Sequence, residues 1–203
     1  MRPQFLIWPI LLVILSACAS LPAPSIPLAD LGQFRLAGVE VKGAQAFGSW
    51  PAEEEAYLAA HALDQDTINR IKTRPIREEP AMAAFALARA SNLFQQEMTS
   101  ATATVFTGQK PVRLVVDLQR FDVPSVARRI FTDQVATLSG RVLLVDQHGA
   151  TLLDSPDLRV AIPLLGGLSS PVASAVEASS GNDPGAGLVR KFAEAYRGWL
   201  LQK

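Results

Sequence analysis

The stretch VRLVVDLQ, residues 112–119, decides the fold. Val112, Leu114, Val116 and Leu118 alternate with Arg113, Val115, Asp117 and Gln119, a period of two with one strongly apolar face. Successive side chains of an extended chain point to opposite sides, so this pattern predicts a strand that lays one face on a core. Downstream, QVATLSGRVLLVD (residues 134–146) reads as a second strand. Asp146, Gln147, His148 and Gly149 supply turn residues, and ATLLD leads into a further segment that ends near DLRVAIPLL. Apolar runs joined by a short glycine-containing turn form an antiparallel hairpin.

Upstream, FRLAGVEVKG (residues 34–43) predicts a strand whose alternation slips at Gly38, the mark of a bulge. The polar region PAEEEAYLAAHALDQDTINRIKTR opens with Pro51 and three glutamates, a helix start. Its apolar side is limited to Tyr57, Leu58, Leu63, Ile68 and Ile71, so short, partly exposed helices are expected. A stronger helix lies in EEPAMAAFALARASNLFQQEMTS, where Pro80 suits the first turn and Glu78 and Glu79 complement the positive end of the dipole. Met82, Phe85, Leu93 and Phe94 recur near helical spacing and should pack on the sheet. A glycine- and serine-rich loop, residues 166–187, precedes a last helix. Leu188, Phe192, Ala195, Trp199 and Leu200 line one face of it, and Arg190, Lys191, Glu194, Arg197 and Lys203 mark the other. Strand, helices, strand, hairpin and helix in this order predict an α+β fold: a mostly antiparallel sheet with helices packed on one face and a C-terminal amphipathic helix.

The N-terminus follows a different logic. Arg2 precedes an uninterrupted apolar stretch over residues 5–15, the layout of a secretory signal. The stretch is about half of the roughly 20 apolar residues that a spanning helix needs, and it contains Pro9. It ends at Leu15, Ser16, Ala17 and Cys18, which resemble the lipobox of bacterial lipoproteins, and Cys18 is the only cysteine in the chain. That resemblance implies cleavage before Cys18, a diacylglycerol on its sulfur, and commonly a further acyl chain on the new amino terminus. Two or three acyl chains hold a protein on a bilayer stably where one does not. Residues 1–17 are then a signal peptide, and the membrane is the first partner, through Cys18.

With Cys18 acylated, no thiol remains for a disulfide or a nucleophile, so stability must come from a core. Removal of residues 1–17 leaves 186, the size of one domain. Pro22, Pro24 and Pro27 make residues 18–33 a tether in extended geometry, with a single domain following over residues 34–203. Ala19 follows the cysteine where the family in enteric bacteria uses aspartate for inner-membrane retention. That points to the periplasmic face of the outer membrane, with the inner membrane as the alternative.

Composition excludes some classes of activity. The 19 basic and 19 acidic residues balance, and the longest basic run is Arg128-Arg129, so nucleic acid is not an expected partner. His61 and His148 stand apart without metal-ligand spacing, and no GxSxG, SxxK or phosphate-cradling glycine loop occurs, so neither metal, cofactor nor catalytic residue is assigned. Carboxylates such as Glu53, Glu54 and Glu55 sit where a helix start favours negative charge. Between two strands, FDVPSVARRIF combines apolar and cationic residues. Arg120, Phe121, Arg128, Arg129 and Phe131 are the candidate interaction surface, suited to lipid headgroups or an acidic partner.

The lipobox, the element order and the segments VVDLQRF and VLLVDQHGATLLDS resemble uncharacterised alphaproteobacterial envelope lipoproteins and, more loosely, the auxiliary lipoproteins of ABC-type transport systems. The resemblance implies a non-enzymatic accessory role in an envelope complex for transport or biogenesis, with an envelope protein as partner. A carrier of lipid or another apolar ligand, and an envelope hydrolase without recognised motifs, are the alternatives.

Overall fold

The strand read first from the sequence is the centre of the sheet. In a computed structural model, residues 21–131, 134–164 and 183–202 are described. Five strands form one sheet: β1 (Phe34–Lys42), β2 (Lys110–Asp122), β3 (Val135–Asp146), β4 (Thr151–Asp154) and β5 (Leu158–Pro163). The order is β1-β2-β3, and β4 and β5 both pair with β3. β1 runs parallel to β2, and every other pair is antiparallel. Parallel neighbours need a long crossover. Here it carries three helices, α2 (Pro51–Ala60), α3 (Gln65–Thr73) and α4 (Pro80–Thr102). The register of β1 shifts between Leu36 and Gly38, where the sequence places the bulge.

One face of the sheet meets the helices. Val112, Leu114, Val116 and Leu118 of β2 and Ala136, Leu138, Val142 and Leu144 of β3 are buried with α4 and the C-terminal helix, which follows the short α1 (Leu28–Leu31) and α5 (Val126–Phe131) as α6 (Pro184–Leu200). Leu188, Phe192 and Trp199 of α6 belong to this core, as their spacing predicts. Phe94 and Phe192 meet edge to face at 5.6 Å, an arrangement aromatic quadrupoles favour. Phe85 is only half-buried and packs instead on Tyr57 at 5.3 Å. The other face of the sheet carries ion pairs, among them Arg113–Glu40 at 3.2 Å and Arg141–Asp154 at 3.5 Å.

The outer edge opposite β1 is one strand broken in two. β4 pairs with residues 143–145 of β3 and β5 with residues 135–140, and Ser155, Pro156 and Asp157 lie between. Pro156 has no N–H to give a ladder. Ser155 bridges the gap, donating its N–H to the Val142 carbonyl and accepting the Val142 N–H on its hydroxyl at 2.8 Å. At the β1 edge, the Val39 N–H donates to Gln95 Oε1 of α4 at 2.8 Å.

Residues before Phe34 pack on the domain. Leu31 is fully buried, Ile26 packs against the core, and the Pro22 carbonyl accepts the Trp199 indole N–H at 2.7 Å. The prolines do keep residues 21–27 out of helix and ladder, but the segment lies along the domain instead of standing off it. At the other end α6 starts at Pro184, so the last residues of the expected loop are helical, while residues 165–182 lie outside those described. Leu15, Ser16, Ala17 and Cys18 also lie outside them. Among the described residues no helix is long and apolar enough to cross a membrane.

Candidate interaction cleft

The alternation of β2 breaks between Leu118 and Arg120, where one extra residue enters the pairing with β3. An inserted residue reverses the facing of everything after it. Phe121 therefore turns inward and is fully buried, its ring 5.2 Å from Phe47 and 4.6 Å from Trp50. Asp122 follows it and is buried too, at the head of a cleft.

A short run of chain beside the end of β2 builds the floor. Gly48 N–H donates to the Phe121 carbonyl at 2.8 Å, and Val123 N–H donates to the Ser49 carbonyl at 2.7 Å. This brings Gly48 so close to Asp122 that a Cβ at that position would run into the carboxylate. Asp122 accepts the Ser49 N–H at 3.0 Å and both terminal nitrogens of Arg128, at 2.9 and 2.8 Å. Arg120 reaches the same carboxylate at 3.5 Å. α5 aims Arg128 at it, because Ser125 Oγ accepts the Arg128 N–H and fixes the first turn. Burial would raise the Asp122 carboxyl, but the hydrogen bonds and charge of Arg128, with help from the Ser49 amide and Arg120, hold it below the usual range.

Glu54 supports the same floor from α2, accepting Ser49 Oγ–H at 3.0 Å and Trp50 N–H at 3.1 Å. Its burial nevertheless pushes its carboxyl up. Trp50 in turn ties the floor to α6. Its indole N–H donates to Asp183, which caps that helix by accepting the Gly185 and Ala186 N–H groups. A Cβ on Gly185 would collide with the Trp50 ring, so only glycine fits there.

The open cleft above this floor has a volume of about 760 Å³. Lys72 from the end of α3, Arg74 and Arg77 beyond it, and Arg120 are exposed along its walls. With Arg128 they set five cationic side chains against two carboxylates, Glu54 and Asp122. Among the described residues Lys72, Arg74 and Arg77 have no carboxylate partner, while Asp122 is taken by Arg128 and Arg120. The walls therefore present unneutralised positive charge over a polar floor. Such a recess concentrates anions.

The structure splits the candidate surface read from the sequence. Arg120 and Arg128 line the cleft. Phe121 belongs to the core, and Arg129 is buried at 4% exposure with its Nε donating to the Pro124 carbonyl. Phe131, 82% exposed at the end of α5, lies outside the cleft lining. Lys72, Arg74, Arg77, Asp122 and Glu54 were not foreseen. The two histidines stay apart: His61 Nδ1 is 2.8 Å from the Tyr57 carbonyl and His148 sits in the exposed turn after β3. Among the described residues no group of three or more His, Cys, Asp or Glu converges on a metal position.

No family model matches the chain, and no curated protein matches it. Solved structures resemble it distantly. A DUF330 protein from Xanthomonas campestris superposes with a TM-score of 0.41 and 12% identity over 84% of each chain. A PelC dodecamer from Paraburkholderia phytofirmans gives 0.31 and 12%, over 55% of this chain and 74% of that one. A candidate lipoprotein from Caulobacter crescentus gives 0.29 and 22%, over 57% of this chain and 86% of that one.

Proposed function

We propose that this protein is a lipid-anchored lipoprotein of the bacterial envelope, facing the periplasm from the outer membrane. It serves as a non-enzymatic accessory component of a transport or biogenesis complex. The cationic cleft holds an acidic segment of the partner. The observation that carries the docking role is the set of Lys72, Arg74 and Arg77, exposed on one wall without carboxylate partners among the described residues. Charges so placed accelerate and orient encounter with an oppositely charged surface. The lipobox at residues 15–18 supports the anchor, and Ala19 supports outer-membrane placement.

The test is in-cell crosslinking and capture of the full chain beside two variants. Cys18→Ser should lose labelling by a palmitate analogue, and retained labelling would refute the anchor. The triple charge reversal Lys72→Glu, Arg74→Glu, Arg77→Glu should keep the label and the unfolding midpoint while losing the crosslinked partner. Capture of the same partner by the triple variant would refute the cleft as its docking site.

A further inference from the structure

The segment expected to stand the domain off the membrane is bound to the domain. Trp199 of α6 donates its indole N–H to the Pro22 carbonyl at 2.7 Å, and residues 21–24 form one side of an open groove whose other sides are β5 and α6. Further along, Ile26 packs on the core and Leu31 is fully buried, so the strap is held at both ends. Leu21, where the strap emerges, leaves 53% of its surface exposed. Arg159 of β5 and Lys191 of α6 are exposed beside it along the same groove, as are the carboxylates Asp157 and Glu194.

The length of chain beyond this point fixes the rest. Cys18 is three residues before Leu21, and an extended chain covers about 3.3–3.6 Å per residue, so the two lie within roughly 11 Å. A diacylglycerol on the cysteine sulfur sits at the base of the headgroup layer. That layer occupies about 5–8 Å on each side of the hydrocarbon core. The free chain is nearly used up in crossing it. We infer that the α6–β5 side of the domain rests on the bilayer, with the lipid headgroups as the partner of that side and the strap setting its orientation. This rests on the reading that Cys18 is acylated.

The test uses the full lipidated protein in phospholipid vesicles that carry a headgroup-attached quencher. Acylation leaves the chain without a free thiol, so one introduced cysteine takes one fluorophore. Lys191→Cys marks the side inferred to face the bilayer, and Arg113→Cys marks the opposite face of the sheet. The label at position 191 should be quenched several-fold more strongly than the label at 113. A Gly-Ser spacer of about 20 residues inserted after Ser20, with a mean span of roughly 25 Å, should abolish the difference. Flotation with the vesicles is read in parallel. Flotation with equal quenching at the two positions, or stronger quenching at 113, overturns the orientation and leaves the anchor intact. Protein that takes up palmitate and does not float also overturns it, since the acyl chains would then be held by the protein. Protein that takes up none removes the anchor, and the inference with it.

Discussion

Replacing Asp122 by asparagine keeps the size of the side chain and removes its charge, and the geometry allows the cost to be worked out. The carboxylate accepts one backbone N–H and a two-pronged bond from Arg128, all at 3.0 Å or less. A hydrogen bond to a charged group contributes about 1.5–3 kcal/mol net when it is shielded. The Arg128 side chain is 38% exposed, so water regains part of it in the variant. The asparagine oxygen can still accept one of the bonds. A loss of about 1–3 kcal/mol follows at neutral pH. With a urea dependence of about 2 kcal/mol per molar for a domain of this size, the midpoint should fall by roughly 0.5–1.5 M.

The pH dependence supplies an independent check. Arg128 and the Ser49 amide hold the folded Asp122 pKa below its unfolded value of about 3.9. Its contribution is therefore complete above about pH 4 and is lost as pH falls through the depressed folded value. Glu53 and Glu54 run the other way, because burial raises both, and their penalty appears as pH rises. Glu53 does not sense Asp122 and cancels in the comparison, whereas the Asp122 charge adds to the upward push on Glu54, so its removal offsets a small part of the loss at neutral pH. The gap between the two urea midpoints should be full at pH 7 and should narrow as pH falls from about 4 toward 2. A variant that unfolds at the wild-type midpoint at pH 7, or with a deficit that does not change over that fall in pH, would refute the account of Asp122.

Two further outcomes test the packing of α6. Trp199→Ala removes a core indole and the hydrogen bond to Pro22, and should cost roughly 3–5 kcal/mol, whereas Arg197→Ala on the exposed face should cost about 0–1 kcal/mol in the same urea experiment. The Tyr196 hydroxyl is buried without a hydrogen-bond partner among the described residues, and burial pushes its ionisation far up. Tyr196→Phe should therefore match the wild type or unfold up to about 1–3 kcal/mol later, and a clear loss of stability would reveal a partner for that hydroxyl.

The sheet and its helices were legible because each carries its own period. Val112 through Leu118 announce a strand without reference to any other part of the chain, and the apolar face of α6 announces a docked helix in the same way. The cleft has no such local sign. It is assembled from Gly48–Glu54, the end of α3, the last residues of β2 and the first turn of α5, brought together only by folding. The sequence puts Phe121 on the surface because its charged neighbours and irregular context outweigh a single aromatic. The bulge between Leu118 and Arg120 is what turns it inward, and the glycine at that shift, Gly140, lies on the partner strand β3, whereas Gly38 marks the bulge of β1 within β1 itself. Gly48-Ser49-Trp50-Pro51 was a usable sign of a tight approach before a helix, but not of what approaches. The parallel pairing of β1 and β2 follows from the long helical crossover, which the element order already contained.

Under the proposed membrane anchoring, the interrupted edge of the sheet has a further meaning. A free strand edge offers unpaired N–H and C=O groups to any similar edge it meets, and continuous edges join into larger sheets. Molecules held on one membrane face meet in two dimensions, at high local concentration and in restricted orientations, which makes such joining easier than in free solution. Here the outer strand is cut at Pro156, with Ser155 turned inward to close its own gap, and on β1 Gln95 already occupies the Val39 N–H. Among the described residues neither border of the sheet offers a long uninterrupted template, so copies anchored in the proposed way would crowd together without fusing edge to edge.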